Sequence, residues 1–291
     1  MTRHRNPQAE QMADESMIRN LAAQATAIWP QEERLFDRYA LTPGPLPRRG
    51  EGESDEAVFK VADIGCGSGE ITSRLALRYP QAHLIGVDIL ESSVAHARRA
   101  HAALAPRVQF QVGDAFALDL ASARFDLVVC RHMTQAIPEP ERVLGELQRI
   151  CKPGGWIHVL SEDYGMIHMP AGVLDPDRLW HEAVIPYTHS TGTDARIGRR
   201  TWSLMHALGL QELRVDYVVV DTVRVDREVF AAIIRAWRDG YSQTLAHHTH
   251  LPVAQVRALF DQSIATILDP QQYAVWHVPI VSGRKPQASA R

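Results

Sequence analysis

Between residues 58 and 161 the chain alternates short apolar runs with amphipathic stretches, the strand–helix–strand rhythm that builds a mostly parallel sheet. Residues 59–64, 83–87, 108–112, 125–130 and 156–160 read as strands, each ending where a polar or glycine-rich loop begins. Val143, Leu144, Leu147 and Ile150 form one apolar stripe, which predicts a helix over 139–151, stopped by Lys152-Pro153-Gly154-Gly155. Upstream, Met17, Leu21, Ala25 and Trp29 recur at helical spacing, predicting a helix broken near Pro30 and a second behind it. Downstream, 212–222 and 273–282 read as two further strands with helical material over 227–268 between them, and no internal repeat is visible.

These elements predict an α/β fold: a doubly wound, mostly parallel seven-stranded sheet with a helical cap from the N-terminus and an insert before the last strand. The implied organisation is cap helices over 1–41, a linker over 42–56, a core over 57–165, a lid or acceptor region with the sixth strand over 166–270, and the last strand and tail over 271–291. The linker assignment rests on the density of proline, glycine and charge over 42–54, which suits neither a helix nor a central strand.

The 291 residues are 45% hydrophobic and 22% charged, enough to bury a sizeable core. With 31 basic and 34 acidic side chains the formal charge is −3, so no global field draws the chain to nucleic acid or anionic lipid. Arg196, Arg199 and Arg200 form a local basic cluster that reads as a solvated face or a phosphate contact. The three cysteines, Cys66, Cys130 and Cys151, lack metal or redox spacing, and no leader or membrane span is recognisable, so a cytoplasmic protein is expected. His247, His248 and His250 have no carboxylate or cysteine nearby to complete a ligand set, and no metal site is expected.

The chemistry concentrates in Val61-Ala62-Asp63-Ile64-Gly65-Cys66-Gly67-Ser68-Gly69-Glu70, which follows a strand and opens a helix. Alternate glycines let the backbone turn sharply and approach a ligand closely, and the helix start presents unpaired N–H groups. A dinucleotide loop would read G-x-G-x-x-G; here the third glycine comes one residue early, and Asp63 stands two before the first. That carboxylate suits an ammonium and would repel a pyrophosphate. Asp88, with Ile89 behind it, closes the second strand where a carboxylate can hold ribose hydroxyls. Gly113-Asp114-Ala115-Phe116 follows the third strand, and Cys130-Arg131-His132 opens the loop after the fourth.

In this order the motifs resemble those of the class I S-adenosylmethionine-dependent methyltransferases, over roughly residues 56–161. The resemblance implies that Asp63, Gly65, Cys66, Gly67, Gly69, Asp88, Ile89, Asp114, Ala115, Phe116, Arg131 and His132 bind the cofactor, S-adenosyl-L-methionine, with S-adenosyl-L-homocysteine as product. It sets Asp114 near the adenine amino group with Ala115 or Phe116 on the ring, and Arg131 and His132 at the methionine end. Ala136 replaces the family's usual histidine in the segment before the fifth strand, so that side chain's role is not carried over.

The implied reaction is methyl transfer to an O, N or C atom of a small organic acceptor, aromatic ones included, by a monomer or homodimer acting on no nucleic acid. His132 and His168 are candidate bases because they follow strand ends; Glu162, Asp163 and Tyr164 are comparable sources of an acceptor-site group. Trp29, Phe36 and Tyr39 from the cap, and Tyr164, Trp180 and Tyr187 from the insert, are candidate acceptor walls or packing residues. Two rivals stay open: a cofactor-binding sensor or partner subunit without turnover, and an NAD-dependent oxidoreductase, which finds Glu70 where its last glycine belongs.

Overall fold

The computed structural model describes residues 6–39 and 58–287; the expected linker at 42–56 lies outside the described residues. A short turn of helix, α1 (Ala9–Met12), precedes α2 (Glu15–Glu32), whose start is capped by Asp14 accepting from the Ser16 N–H at 2.9 Å. Pro30 sits in the last turn of α2 without breaking it, and a 3₁₀ segment, Glu33–Tyr39, follows where a second helix was expected.

The core then runs β1 (Lys60–Ile64), α3 (Glu70–Arg78), β2 (His83–Asp88), α4 (Glu91–Ala100), β3 (Val108–Val112), β4 (Phe125–Arg131), α5 (Pro140–Ile150) and β5 (Cys151–Leu160). Beyond it come β6 (Ile167–His168), a π-helical turn (Leu179–Val184) leading into α6 (Ile185–Ser190), α7 (Gly198–Ala207), β7 (Gln211–Asp221), α8 (Arg227–His248), α9 (Val253–Leu268) and β8 (Val275–Arg284). The five strands β1 to β5 pair in parallel, in the order β3-β2-β1-β4-β5. Strand β8 runs antiparallel to β5 on one side and to β7 on the other. The expected seven strands are present, joined by the two-residue β6, which continues the line of β5 along β8. One boundary differs: β5 starts at Cys151 with no loop after α5, and Lys152 to Gly155 form an irregularity opposite residues 125–127.

Side-chain alternation along the central strands divides the core. Val61, Leu127 and Val129 face α3, α4 and the residues Trp29, Phe36 and Tyr39, whereas Ala62, Ile64, Val128 and Cys130 face the stripe of α5. A third cluster joins β7 and β8 to α8, α9 and Ile28 of α2, so α2 bridges two cores. Strand order reverses between β1 and β4, and open parallel sheets form their ligand crevice at the carboxyl ends of the strands flanking such a point. Among the described residues no helix is long and apolar enough to cross a membrane.

Candidate functional site

The glycine loop leaves β1 through three left-handed positions, Gly65 at φ +78°, Gly67 at +51° and Gly69 at +82°. Gly65 and Cys66 both donate backbone N–H to the Val87 carbonyl of β2, which pins the loop to the neighbouring strand. Asp88 completes the turn: its Oδ2 accepts from the Gly67 N–H and its Oδ1 from the Leu90 N–H, each at 2.9 Å. Burial raises the Asp88 pKa, opposed by these backbone donors. Asp63 lies deeper, 2% exposed, with Oδ2 accepting from the Thr72 hydroxyl at 2.6 Å. Burial pushes it up to about 6, against the Thr72 hydrogen bond and the charge of Arg131.

Around this loop a groove of about 840 Å³ is lined by Gly65, Gly67, Asp88, Ile89, Asp114, Ala115, Phe116, Arg131 and His132. A smaller recess of about 340 Å³, lined by Asp63, Gly65, Cys66, Arg131 and His132, lies beside it. Every expected cofactor residue borders one of these spaces except Gly69. A Cβ on Gly69 would come within 2.9 Å of His101 and Phe110, so its conformation serves the start of α3. The groove also takes Met133 and Ile137 from the loop after β4, and Met12, Met17 and Leu21 from the N-terminal segment, none of which the motifs signalled. A Cβ on Gly67 would lie 2.7 Å from Leu21 Cδ1 in a conformation that valine adopts only with strain. Gly67→Val is therefore expected to weaken S-adenosylhomocysteine binding at least tenfold, and an unchanged dissociation constant by calorimetry would show that the loop does not touch the ligand.

A second cavity, of about 660 Å³, adjoins the groove: Met12, Met17, Leu21 and His132 border both. Tyr164 and Trp180 stack in its wall, ring centroids 5.5 Å apart, and Trp237 meets Tyr164 edge-on. Tyr187, Tyr241 and Phe260 extend the aromatic lining. His132 stands at the junction in a left-handed conformation, φ +53°, which a non-glycine residue holds only when its surroundings enforce it. They do so twice: its N–H donates to the Leu160 carbonyl at 3.1 Å, and Gln135 Nε2 donates to its carbonyl at 2.9 Å. The ring Nδ1 contacts Glu162 Oε1 in a short hydrogen bond, while Nε2 is buried without a partner. A carboxylate accepting from Nδ1–H fixes the tautomer that leaves the Nε2 lone pair available.

Five expected residues, His168, Trp29, Phe36, Tyr39 and Asp163, fall elsewhere. His168 is solvent-exposed on β6, where its backbone pairs with Val275, so it is corrected from base candidate to sheet edge. Trp29 packs against Phe36 in the core, and the Tyr39 hydroxyl is bonded to His158 Nδ1 at 2.8 Å behind the sheet. Helical periodicity explains the exchange: Met17, Leu21 and Gln24 share the face of α2 over the cavities, and by Trp29 the helix has turned that residue toward α3. Asp163 is fully buried and spent on Arg199 through Nε at 2.6 Å and Nη2 at 2.9 Å. That pair, with Arg200 on Asp194, accounts for two of the three clustered arginines. His248 contacts Ser190 and Tyr187.

Three carboxylates at the ends of three adjacent strands, around a loop that a Cβ would fill, suit a cationic nucleoside with a free diol and an amino-bearing base. They do not suit a pyrophosphate. The site thus defines a nucleoside-binding α/β fold with a second cavity adjoining the groove.

Comparison with known proteins agrees. The sequence matches the family model of a methyltransferase domain over residues 55–196, about half the chain. Trans-aconitate 2-methyltransferase of Deinococcus radiodurans is 39% identical over 100 residues, 34% of this chain and 36% of that protein. A ubiquinone biosynthesis O-methyltransferase of Leptothrix cholodnii is 24% identical over 204 residues, 64% of this chain and 86% of that one. Among solved structures, a putative methyltransferase from Bacillus halodurans aligns with TM-score 0.53 and 15% identity over 89% of this chain and all of its own. Phosphoethanolamine N-methyltransferase 2 of Haemonchus contortus, in complex with S-adenosyl-L-methionine, aligns with TM-score 0.53 and 18% identity over 89% of this chain and 53% of its own. The chain thus spans about a third of the Deinococcus enzyme and about half of the Haemonchus one. The chain carries a methyltransferase domain over residues 55–196 and has the fold of the class I S-adenosylmethionine-dependent methyltransferases.

Proposed function

We propose that the chain transfers a methyl group from S-adenosylmethionine to a small organic acceptor held in the 660 Å³ cavity, with His132 as general base. The observation that carries this reading is the unpartnered Nε2 of His132 at the junction of groove and cavity. In this reading Asp63 faces the cofactor's ammonium, Asp88 its ribose hydroxyls and Asp114 its adenine amino group, while Gly65 and Gly67 admit it to the backbone. S-adenosylmethionine, when bound, supplies an electrophilic methyl: the S–CH₃ bond breaks as the acceptor–CH₃ bond forms, and the sulfonium becomes a neutral thioether. His132 Nε2 takes the proton released by the acceptor, and Glu162 stabilises the imidazolium so formed. Met12, Met17 and Leu21 of the N-terminal segment, with the aromatic walls, exclude bulk water from the transfer.

Thermal shift separates this from the rivals, since a ligand bound only by the folded chain raises its melting temperature by mass action. S-adenosylmethionine and S-adenosylhomocysteine are expected to stabilise the chain, and NAD⁺ is not. Stabilisation by NAD⁺ alone would overturn the reading. Label from a methyl-labelled donor appearing in a small acceptor is the expected sign of turnover, and its absence across hydroxyl, amine and carbon acceptors would favour a sensor.

A further inference from the structure

Seven polar side-chain atoms buried in the chain without a hydrogen-bond partner belong to residues that border the 660 Å³ cavity: Asn20 Oδ1, Gln24 Oε1, His132 Nε2, Gln135 Oε1, Glu162 Oε2, Trp180 Nε1 and the Tyr187 hydroxyl. All seven residues are less than 9% exposed. Buried polar atoms in a folded chain are nearly always satisfied, so seven orphans around one cavity point to a ligand that satisfies them. Their chemistry is lopsided. Five are acceptors, one is an obligate donor, and the tyrosine hydroxyl can be either. The Gln135 assignment is fixed by its amide nitrogen, which is already donating to the His132 carbonyl.

We infer that the acceptor is an uncharged, flat aromatic molecule bearing hydroxyl donors, and that the methyl group is placed on a hydroxyl oxygen; this rests on the reading of the cavity as the acceptor site. Hydroxyl groups donate into Asn20, Gln24 and Gln135 while Trp180 and Tyr187 serve the acceptor's own lone pairs. A carboxylate or phosphate would set its lone pairs against five others and against the Glu162 charge. A protonated amine would satisfy the acceptors, but it offers no lone pair to the Trp180 Nε1–H. The hydroxyl nucleophile loses its proton to His132 Nε2 as its oxygen gains the methyl, which is the role for which Glu162 orients that ring. The stacked Tyr164 and Trp180 and the edge-on Trp237 match a planar ring system.

The test uses the full chain, with and without saturating S-adenosylhomocysteine, and three probes of one size: 2,3-dihydroxynaphthalene, 2-naphthoate and 2-naphthylmethylamine. Calorimetry is expected to show the diol binding at least tenfold more tightly than either charged probe. Gln24→Leu and Asn20→Leu should each weaken the diol by threefold or more while raising the melting temperature of the unliganded chain, since each removes a buried orphan. A purely structural amide would lower that temperature and leave the diol unaffected. Equal or tighter binding of naphthoate or the amine, no measurable diol binding, or diol affinity untouched by both substitutions would overturn the inference. Failure of S-adenosylhomocysteine to bind would instead remove the methyltransferase reading, and the probe preference without it would still report the chemistry of the cavity.

Discussion

Replacing His132 with asparagine is expected to lower kcat by about 10²–10⁴-fold, the usual contribution of a positioned general base. Asparagine is the informative substitution because it tolerates the left-handed backbone at φ +53° better than alanine, so the loop after β4 keeps its course. It retains a polar side chain at the junction but has no basic lone pair to take a proton. Glu162→Gln should cost less, on the order of tenfold, because its amide oxygen still accepts from Nδ1–H but no longer balances the imidazolium charge. The double variant should be little worse than His132→Asn alone, as expected for residues that act as a unit. If His132→Asn retained full kcat, proton abstraction would have no place in the mechanism, and catalysis would reduce to positioning.

The groove was legible because its ligands are local. Each carboxylate, Asp63, Asp88 and Asp114, sits at or just beyond the end of its own strand, and parallel register brings those ends side by side. Strand, sharp turn and helix start are adjacent in the chain, so spacing alone defines the loop. The second cavity obeys no such rule. Its walls come from α2, the loops after β4 and β5, the π-turn and α6, α8 and α9, and membership depends on which face of each helix turns inward. Aromatic content favoured Trp29 and Tyr39, yet the face of α2 presented to the site carries Met17, Asn20, Leu21 and Gln24. Likewise Glu162 and Asp163 are neighbours with opposite fates, because alternation past β5 sends one carboxylate to His132 and the other to Arg199. The buried amides carried no signal in the sequence: asparagine and glutamine on a helix ordinarily read as its wet side.

Glu32→Ala should be the most damaging single change to stability. Glu32 closes α2 with no exposed surface, and its Oε1 accepts from Arg131 Nε at 2.8 Å and contacts His158 Nε2 at 2.9 Å, while Arg131 Nη2 lies 2.7 Å from its Oε2. Tyr39 completes the chain of contacts through His158 Nδ1. The network fastens the N-terminal segment to β4 and β5, directly behind the groove that Arg131 borders. Removing one partner of a buried pair strands the other charge, at a cost of about 3–5 kcal/mol. For a chain of this size that is a fall in melting temperature of roughly 6 to 15 °C. Burial alone would raise the Glu32 pKa, but the Arg131 charge and the His158 hydrogen bond outweigh it and hold the carboxyl at about 2, below its ordinary 4.5. A depressed carboxyl contributes stability that is complete above its unfolded pKa and lost as pH falls through the folded one. The wild type should therefore lose stability between about pH 4.5 and 2 more steeply than Glu32→Ala. Because Met17 and Leu21 ride on the same helix, S-adenosylhomocysteine affinity should fall with the anchor. Replacing Glu32 and Arg131 together by methionine should recover much of the melting temperature, since no stranded charge remains. A loss below 1 kcal/mol in Glu32→Ala, by denaturant unfolding, would mean that apolar packing of α2 against α8 and α3 holds the segment without the ion pair.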